Sequence, residues 1–164
     1  MLMPRPLSLV LDHAPLPVLQ RLVETIFNKA MQQHPDLFDR LGPQAAKRFA
    51  FIPTDLDLAF VVHPAGPGIA VYRKARAPAA HAAISGPLLM LLALLEGRID
   101  GDAVFFSRQL TVSGDMEAML ALRNGLDDCL FDLPRDLSGL AGPFARPARR
   151  LAEILRDRAL VGMV

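Results

Sequence analysis

Apolar residues recur at Leu19, Leu22, Val23, Ile26, Phe27, Ala30 and Met31, the spacing of one helix face. Arg21, Glu24, Asn28, Lys29, Gln32 and Gln33 fall largely on the other side, so an amphipathic helix is predicted up to His34-Pro35. Asp12 is its expected cap, with Pro15 or Pro17 in the opening turn. A short segment, residues 36–41, then leads into a break at Gly42-Pro43.

From Lys47 the period changes to two. Phe49 and Phe51, then Leu56, Leu58, Phe60 and Val62, alternate with Ala50, Ile52, Asp57, Ala59 and Val61. Pro53-Thr54-Asp55 reads as a bend between short strands, and residues 63–68, H-P-A-G-P-G, as a hairpin turn. Ile69, Val71 and Arg73 alternate in the return strand, and residues 81–85 supply a further one. Strands that follow one another without intervening helices predict a mainly antiparallel sheet.

Residues 87–95 are apolar without a break. A bilayer span needs roughly 20 residues, so this is no span. Pro87 suits a first helical turn and Glu96-Gly97 a C-terminal stop. Leu88, Leu91, Leu92 and Leu95 would form one stripe of this helix, while Leu89, Met90, Ala93 and Leu94 leave the rest equally apolar. Such a helix must be covered all round. One side can lie on the sheet; the other needs a helix, a partner or an apolar ligand. Further on, a turn of helix over residues 103–107, a strand over residues 110–113 and a turn at Gly114-Asp115 lead into a helix with Met116, Met119, Leu120, Leu126 and Leu130 on its apolar side. A last helix from about Arg146 places Leu151, Ile154, Leu155 and Leu160 on one side, with Arg149, Arg150, Arg156 and Arg158 crowding the rest.

Composition narrows the function. The net charge is +1 and aromatic residues make up only 6% of the chain, with no Trp. Neither a basic field nor stacking platforms favour nucleic acid. A lone cysteine, Cys129, rules out an intramolecular disulfide framework and a multi-cysteine zinc site, and its apolar helical setting suggests a buried structural thiol. The apolar run at residues 7–11 is interrupted by Asp12 and prolines and lacks a cleavage site, so the chain is expected in the cytoplasm, with at most peripheral contact with the inner membrane.

Catalytic chemistry is not in evidence. His13, His34, His63 and His81 lack the i, i+4 spacing of helical metal ligands, and Ser85-Gly86 and Ser113-Gly114 lack the flanking glycine of a nucleophile elbow. Gly66-Pro67-Gly68 is not followed by the Lys and Ser/Thr of a phosphate loop, and Asp100-Gly101-Asp102 is followed by phenylalanines where calcium ligands would be needed. Asp55 and Asp57, two residues apart on a strand, read as its wet start. No catalytic residue, metal ligand or cofactor is expected.

Four features in order carry a family resemblance. They are a meander closed by A-A-I-S-G (residues 82–86), a leucine helix L-L-A-L-L-E-G-R-I-D (residues 91–100), F-F-S-R-Q-L-T-V-S-G-D (residues 105–115) and a closing helix. Together they resemble the sterol carrier protein type two family over residues 47–128. An added N-terminal amphipathic helix, I-P-T-D-L at residues 52–56 and a basic C-terminal helix resemble the branch of that family formed by accessory factors of bacterial ubiquinone biosynthesis. The resemblance implies an α/β (α+β) fold: a mainly antiparallel twisted sheet of about five strands, covered by helices on one face and enclosing an apolar tunnel. It divides the chain into an amphipathic helical segment (1–43), a lipid-binding domain (44–130) and a connector with the basic helix (131–164). It further implies non-enzymatic lipid binding in the oxygen-independent route to ubiquinone. The partners expected are a phospholipid or isoprenoid quinone intermediate and proteins of ubiquinone biosynthesis.

The expected lipid-lining residues are Phe60, Val62, Ile69, Val71, Leu88, Leu91, Leu92, Leu95, Phe105, Phe106, Leu110, Val112, Met116, Met119 and Leu120. The methionines suit a lining that adapts to ligand shape, and the phenylalanine pair would cap it. For any single residue an ordinary core position is the plainer reading. Arg149, Arg150, Leu151, Ile154 and Leu155 are the expected membrane-facing set, although Glu153 and Asp157 interleave as they would on a solvated face. A scaffold whose apolar helices face partner subunits, and a general lipid carrier, are the alternatives.

Overall fold

The computed structural model describes residues 5–97 and 108–129, together with positions 132, 146, 150, 153 and 157. Five strands, β1 (Phe49–Pro53), β2 (Ala59–His63), β3 (Gly68–Tyr72), β4 (Ala82–Gly86) and β5 (Thr111–Gly114), form one sheet in the order β3-β2-β1-β4-β5. β1–β2, β2–β3 and β4–β5 are antiparallel, as the short connections predict. β1 and β4 run parallel, with Phe49 opposite Ala82 and Pro53 opposite Gly86. Residues 73–81, including a 3-10 turn at Lys74–Arg76, carry the chain back to the free side of β1 instead of folding it onto β3. A tight hairpin could only have given an antiparallel neighbour.

Leu56 and Leu58 do not extend β2. They sit in the β1–β2 connection, 3% and 1% exposed, and pack with Leu19 and Val71. Burial, not strand pairing, fixes them there.

Four described helices complete the fold: α1 (Arg5–His13), α2 (Leu16–Gln33), α3 (Leu88–Leu95) and α4 (Met116–Cys129). α2 carries the expected amphipathic stripe and lies along β3. Its first turn is set by Pro15 at the N-cap and a following proline, the favoured place for that residue. Asp12 is therefore not its cap. It belongs to α1, and its Oδ1 accepts the Asp57 N–H at 2.8 Å. The apolar run at residues 7–11 is thus helical, with Leu7 and Leu11 against Leu19, Leu56 and Leu58. Gln20 of α2 reaches β3 with both ends of its amide, donating to Ile69 O at 2.9 Å and accepting from Val71 N at 2.7 Å. The Gly42-Pro43 break falls within a 3-10 stretch, Asp39–Ala46, where Gly42 takes φ +52°.

Residues paired across the ladders share a face, so Phe49, Phe51, Phe60, Val62, Ile69, Val71, Ala82 and Ile84 point to one side. α2, α3 and α4 pack against that side. One cluster joins Phe49, Val62, Ala82 and Ile84 to Met90 and Leu91 of α3 and to Ala118, Met119 and Leu122 of α4. A second joins Leu19, Leu56, Leu58 and Val71, with Leu88 against it. α3 bridges the two. Its deepest residues are Leu89, Met90 and Leu91, whereas Leu92 and Leu95 of the expected stripe are only half-buried.

α4 starts where the chain must turn sharply. Gly114 has φ +84°, and a Cβ there would lie 2.3 Å from the His81 carbonyl oxygen. Asp115 follows as the cap: its Oδ1 accepts the Ala118 N–H at 3.0 Å, and its own N–H donates to His81 O at 2.8 Å. Lys47 pairs with the same carboxylate. Arg146, Arg150, Glu153 and Asp157 are helical and exposed. The expected turn of helix at residues 103–107 and most of the expected C-terminal helix lie outside the described residues.

Candidate ligand groove

Between the sheet and α4 lies a groove of about 370 Å³. Its floor is one row of side chains across three strands: Phe51 of β1 is opposite Ile84 of β4, and Ile84 is opposite Val112 of β5. Its wall is the inner face of α4, with Met116, Met119, Leu120, Leu122 and Leu126, and Leu94 of α3 contributes from the side. The α4 residues recur every three or four positions, so a single helix face supplies them. Met116 and Leu120, one helical turn apart, are 62% and 56% exposed and form an apolar lip.

Polar groups enter the lining at the C-terminal half of α4 alone, among the described residues. Arg123 and Asp127 sit one turn apart, with Nε 3.7 Å from Oδ2, and their side chains are 28% and 53% exposed. The arginine is the more enclosed of the two.

Of the residues expected to contact lipid, the structure brings Val112, Met116, Met119 and Leu120 to this groove. Phe60, Val62, Ile69 and Val71 share the sheet face but lie toward β3, where α2 covers the sheet; they belong to the packed clusters. Leu88 and Leu91 are likewise spent on packing, and Leu110 is buried against Gly86. Leu92 and Leu95 are half-buried on α3 outside the groove lining. Phe105, Phe106, Arg149, Leu151, Ile154 and Leu155 lie outside the described residues, and Arg150 is exposed.

Sequence reasoning missed Phe51, Ile84, Leu94, Leu122, Arg123, Leu126 and Asp127. The helical spacing from Met116 could have supplied Arg123, Leu126 and Asp127. The row Phe51–Ile84–Val112 depends on the parallel register of β1 and β4, which no local pattern encodes.

Titration does not single out a reactive centre. Burial raises the Cys129 thiol above its ordinary range, which keeps it protonated. The Asp115 carboxyl is held below its ordinary value, first by its hydrogen bond with Lys47 and then by the Ala118 amide. Among the described residues no group of His, Cys, Asp and Glu could hold a metal, and no helix is long and apolar enough to cross a membrane.

The architecture, a five-stranded mixed sheet faced by helices with an apolar groove under the last of them, is that of a sterol-carrier-like domain. Residues 27–127 match the SCP-2 sterol transfer family, and the chain belongs to that family. Domains of this family are lipid carriers rather than enzymes. Among solved structures, a UbiJ-SCP2 ubiquinone synthesis protein aligns over 73% of this chain and 98% of its own, with 17% identity and a TM-score of 0.57. The sterol carrier protein domain 2 of Helicoverpa armigera aligns over 68% and 89% at 12% identity, TM-score 0.49. Sterol carrier protein 2 of Yarrowia lipolytica aligns over 65% and 91% at 14% identity, TM-score 0.45. These likenesses concern the fold. A search of curated proteins returns no match.

Proposed function

We propose that this protein is a non-enzymatic lipid-binding accessory factor, of the UbiT type, that supports oxygen-independent ubiquinone biosynthesis. It holds the hydrocarbon part of an isoprenoid quinone precursor or a phospholipid in the groove beneath α4 and works beside proteins of that route. The groove itself carries this reading: it is apolar along most of its lining and has an exposed apolar lip at Met116 and Leu120. Family membership agrees with lipid binding, and the fold shared with a ubiquinone synthesis protein agrees with the quinone setting.

The size of the groove bears on what enters. At about 370 Å³ the groove has room for a stretch of one hydrocarbon chain rather than for a whole lipid. A longer isoprenoid tail, or the second chain of a phospholipid, passes over the lip.

Native mass spectrometry of the purified protein, followed by lipid extraction, tests this. A co-purifying prenylated or acylated species is the expected result. Protein that carries no lipid and does not take up a hydrophobic fluorescent probe would sink the reading.

A further inference from the structure

We infer that the corner between α1 and α2 is a docking surface for an anionic lipid bilayer, into which Leu9 and Val10 insert. This goes beyond the lipid-holding reading and does not need the groove to be filled. The corner, residues 5–26, precedes residues 27–127, the part that matches the family, so family membership does not supply it.

The first observation is that α1 is apolar on two faces. Leu7 and Leu11, one turn apart, pack against Leu19, Leu56 and Leu58. Pro6, Leu9, Val10 and His13 follow the spacing of a second face, and all four are exposed. Leu9 is 57% and Val10 64% exposed, and Val18 in the first turn of α2 is 47% exposed. Among the described residues, the other large apolar side chains so exposed are Met116 and Leu120 at the groove.

The second observation is the charge around each of these two patches. Arg5 and Arg21 stand on the corner helices. The Arg73 guanidinium donates to Ala14 O at 2.8 Å, which brings Arg73, Lys74 and Arg76 to the same corner. The carboxylates there are Asp12, Glu24 and Asp57, so cations are in excess. α4 has the opposite balance, with Glu117, Asp127 and Asp128 against Arg123. An anionic surface is therefore drawn to Leu9 and Val10 and repelled from the lip at Met116 and Leu120.

Basic residues beside an exposed apolar stripe are the pattern of a helix that lies in the plane of a lipid interface. A protein partner suits the corner less well. Anchors of protein interfaces are enriched in Trp and Tyr, with Leu and Val under-represented, and the apolar side chains exposed here are aliphatic. So few side chains make a shallow anchor, and the binding should be reversible and sensitive to salt.

Flotation with vesicles of phosphatidylcholine, alone or with part of it replaced by phosphatidylglycerol, provides the test. The wild type should float with the phosphatidylglycerol vesicles, and added salt should release it. L9S/V10S should lose most of that binding at unchanged stability, since both are surface positions. R21Q and R76Q should each lower it about fivefold, the worth of one cation at an anionic surface. An environment-sensitive dye on V10C, in a chain with Cys129→Ser, should shift to the blue when these vesicles are added. The same dye on E117C of α4 should not.

Wild-type protein that does not float, that floats equally on both vesicles, or that floats undiminished as L9S/V10S would overturn the inference. So would a blue shift at position 117 without one at position 10. Self-association abolished by L9S/V10S, in a wild type that does not float, would make the corner an interface between copies and overturn it too. None of these results bears on lipid retained in the groove, which native mass spectrometry reads separately. Far-UV circular dichroism of each variant establishes that it is folded before binding is compared.

Discussion

The Asp55 carboxylate accepts a hydrogen bond from the Leu88 N–H at 2.9 Å, so a residue from the turn after the first strand caps a helix 33 positions later. Pro87 occupies the N-cap position of α3 and makes no side-chain cap bond, so the cap is imported. The Thr54 N–H, donating to Gly86 O at 2.9 Å, ties the same turn to the end of β4. The segment I-P-T-D-L is therefore the device that places the leucine helix over the sheet.

Replacing Asp55 with Ala should cost about 1 kcal/mol of stability, the usual worth of a helix cap, and D55N should keep most of it because the amide oxygen still accepts. Urea titration monitored by circular dichroism measures both. A D55A variant as stable as the wild type would deny the cap any energetic role.

Val112 separates a groove from a core. In V112F the added ring would occupy the space described under α4. The expected result is loss of most co-purified lipid with stability changed by less than about 1.5 kcal/mol. The same substitution in a filled interior would cost about 1–3 kcal/mol through overpacking. Lipid extraction and a melting curve on one preparation read both quantities.

Leu120 stands 56% exposed at the lip, so its removal should act on the ligand and not on folding. L120S should reduce lipid retention severalfold while stability stays within about 0.5 kcal/mol, as for surface substitutions. A large loss of stability would place Leu120 in the core instead.

The Lys47–Asp115 pair gives a pH dependence of defined sign. The folded pKa of Asp115 lies below its ordinary value of 3.8, so the pair's contribution is fully present above that pH. It is lost as pH falls through the lowered folded pKa, where the carboxylate takes up its proton. In K47M the main cause of the lowering is gone, so the gap in urea midpoint between wild type and variant should be present at neutral pH and close below pH 3.8. Because both side chains are about one-third exposed, the gap should be small.

Gly114→Ala should destabilise by about 2 kcal/mol or more. It forces an L side chain to φ +84° and sets its Cβ 2.3 Å from a backbone oxygen that cannot swing away. Thermal unfolding compared with a Gly97→Ala control, where nothing lies within 4 Å of the added carbon, separates the clash from φ alone.

Much of this was readable from the chain. The period-two stretches gave strands, the apolar run gave α3, and the S-G-D turn gave the start of α4. Those signals are local, and local geometry made them legible. What escaped was non-local. The β1–β4 pairing brings Phe51 beside Ile84 only after the chain has travelled around β2 and β3. Without that register the sheet face could not be divided into the half that α2 covers and the half that floors the groove. Phe60 and Val71 therefore read the same as Val112 in sequence, although packing puts them in different places. Asp12 misled for a related reason: its oxygen serves a backbone amide 45 residues away.

The Gln20 amide has a consequence for how this molecule behaves in a crowd. β3 is the terminal strand of the sheet, and such a strand offers bare backbone groups on which another chain can add. Gln20 fills the Ile69 carbonyl and the Val71 amide with the same donor and acceptor that a neighbouring strand would present. The amide is a counterfeit sixth strand one residue long. It occupies two of the backbone groups that this edge of the sheet would otherwise offer to another chain.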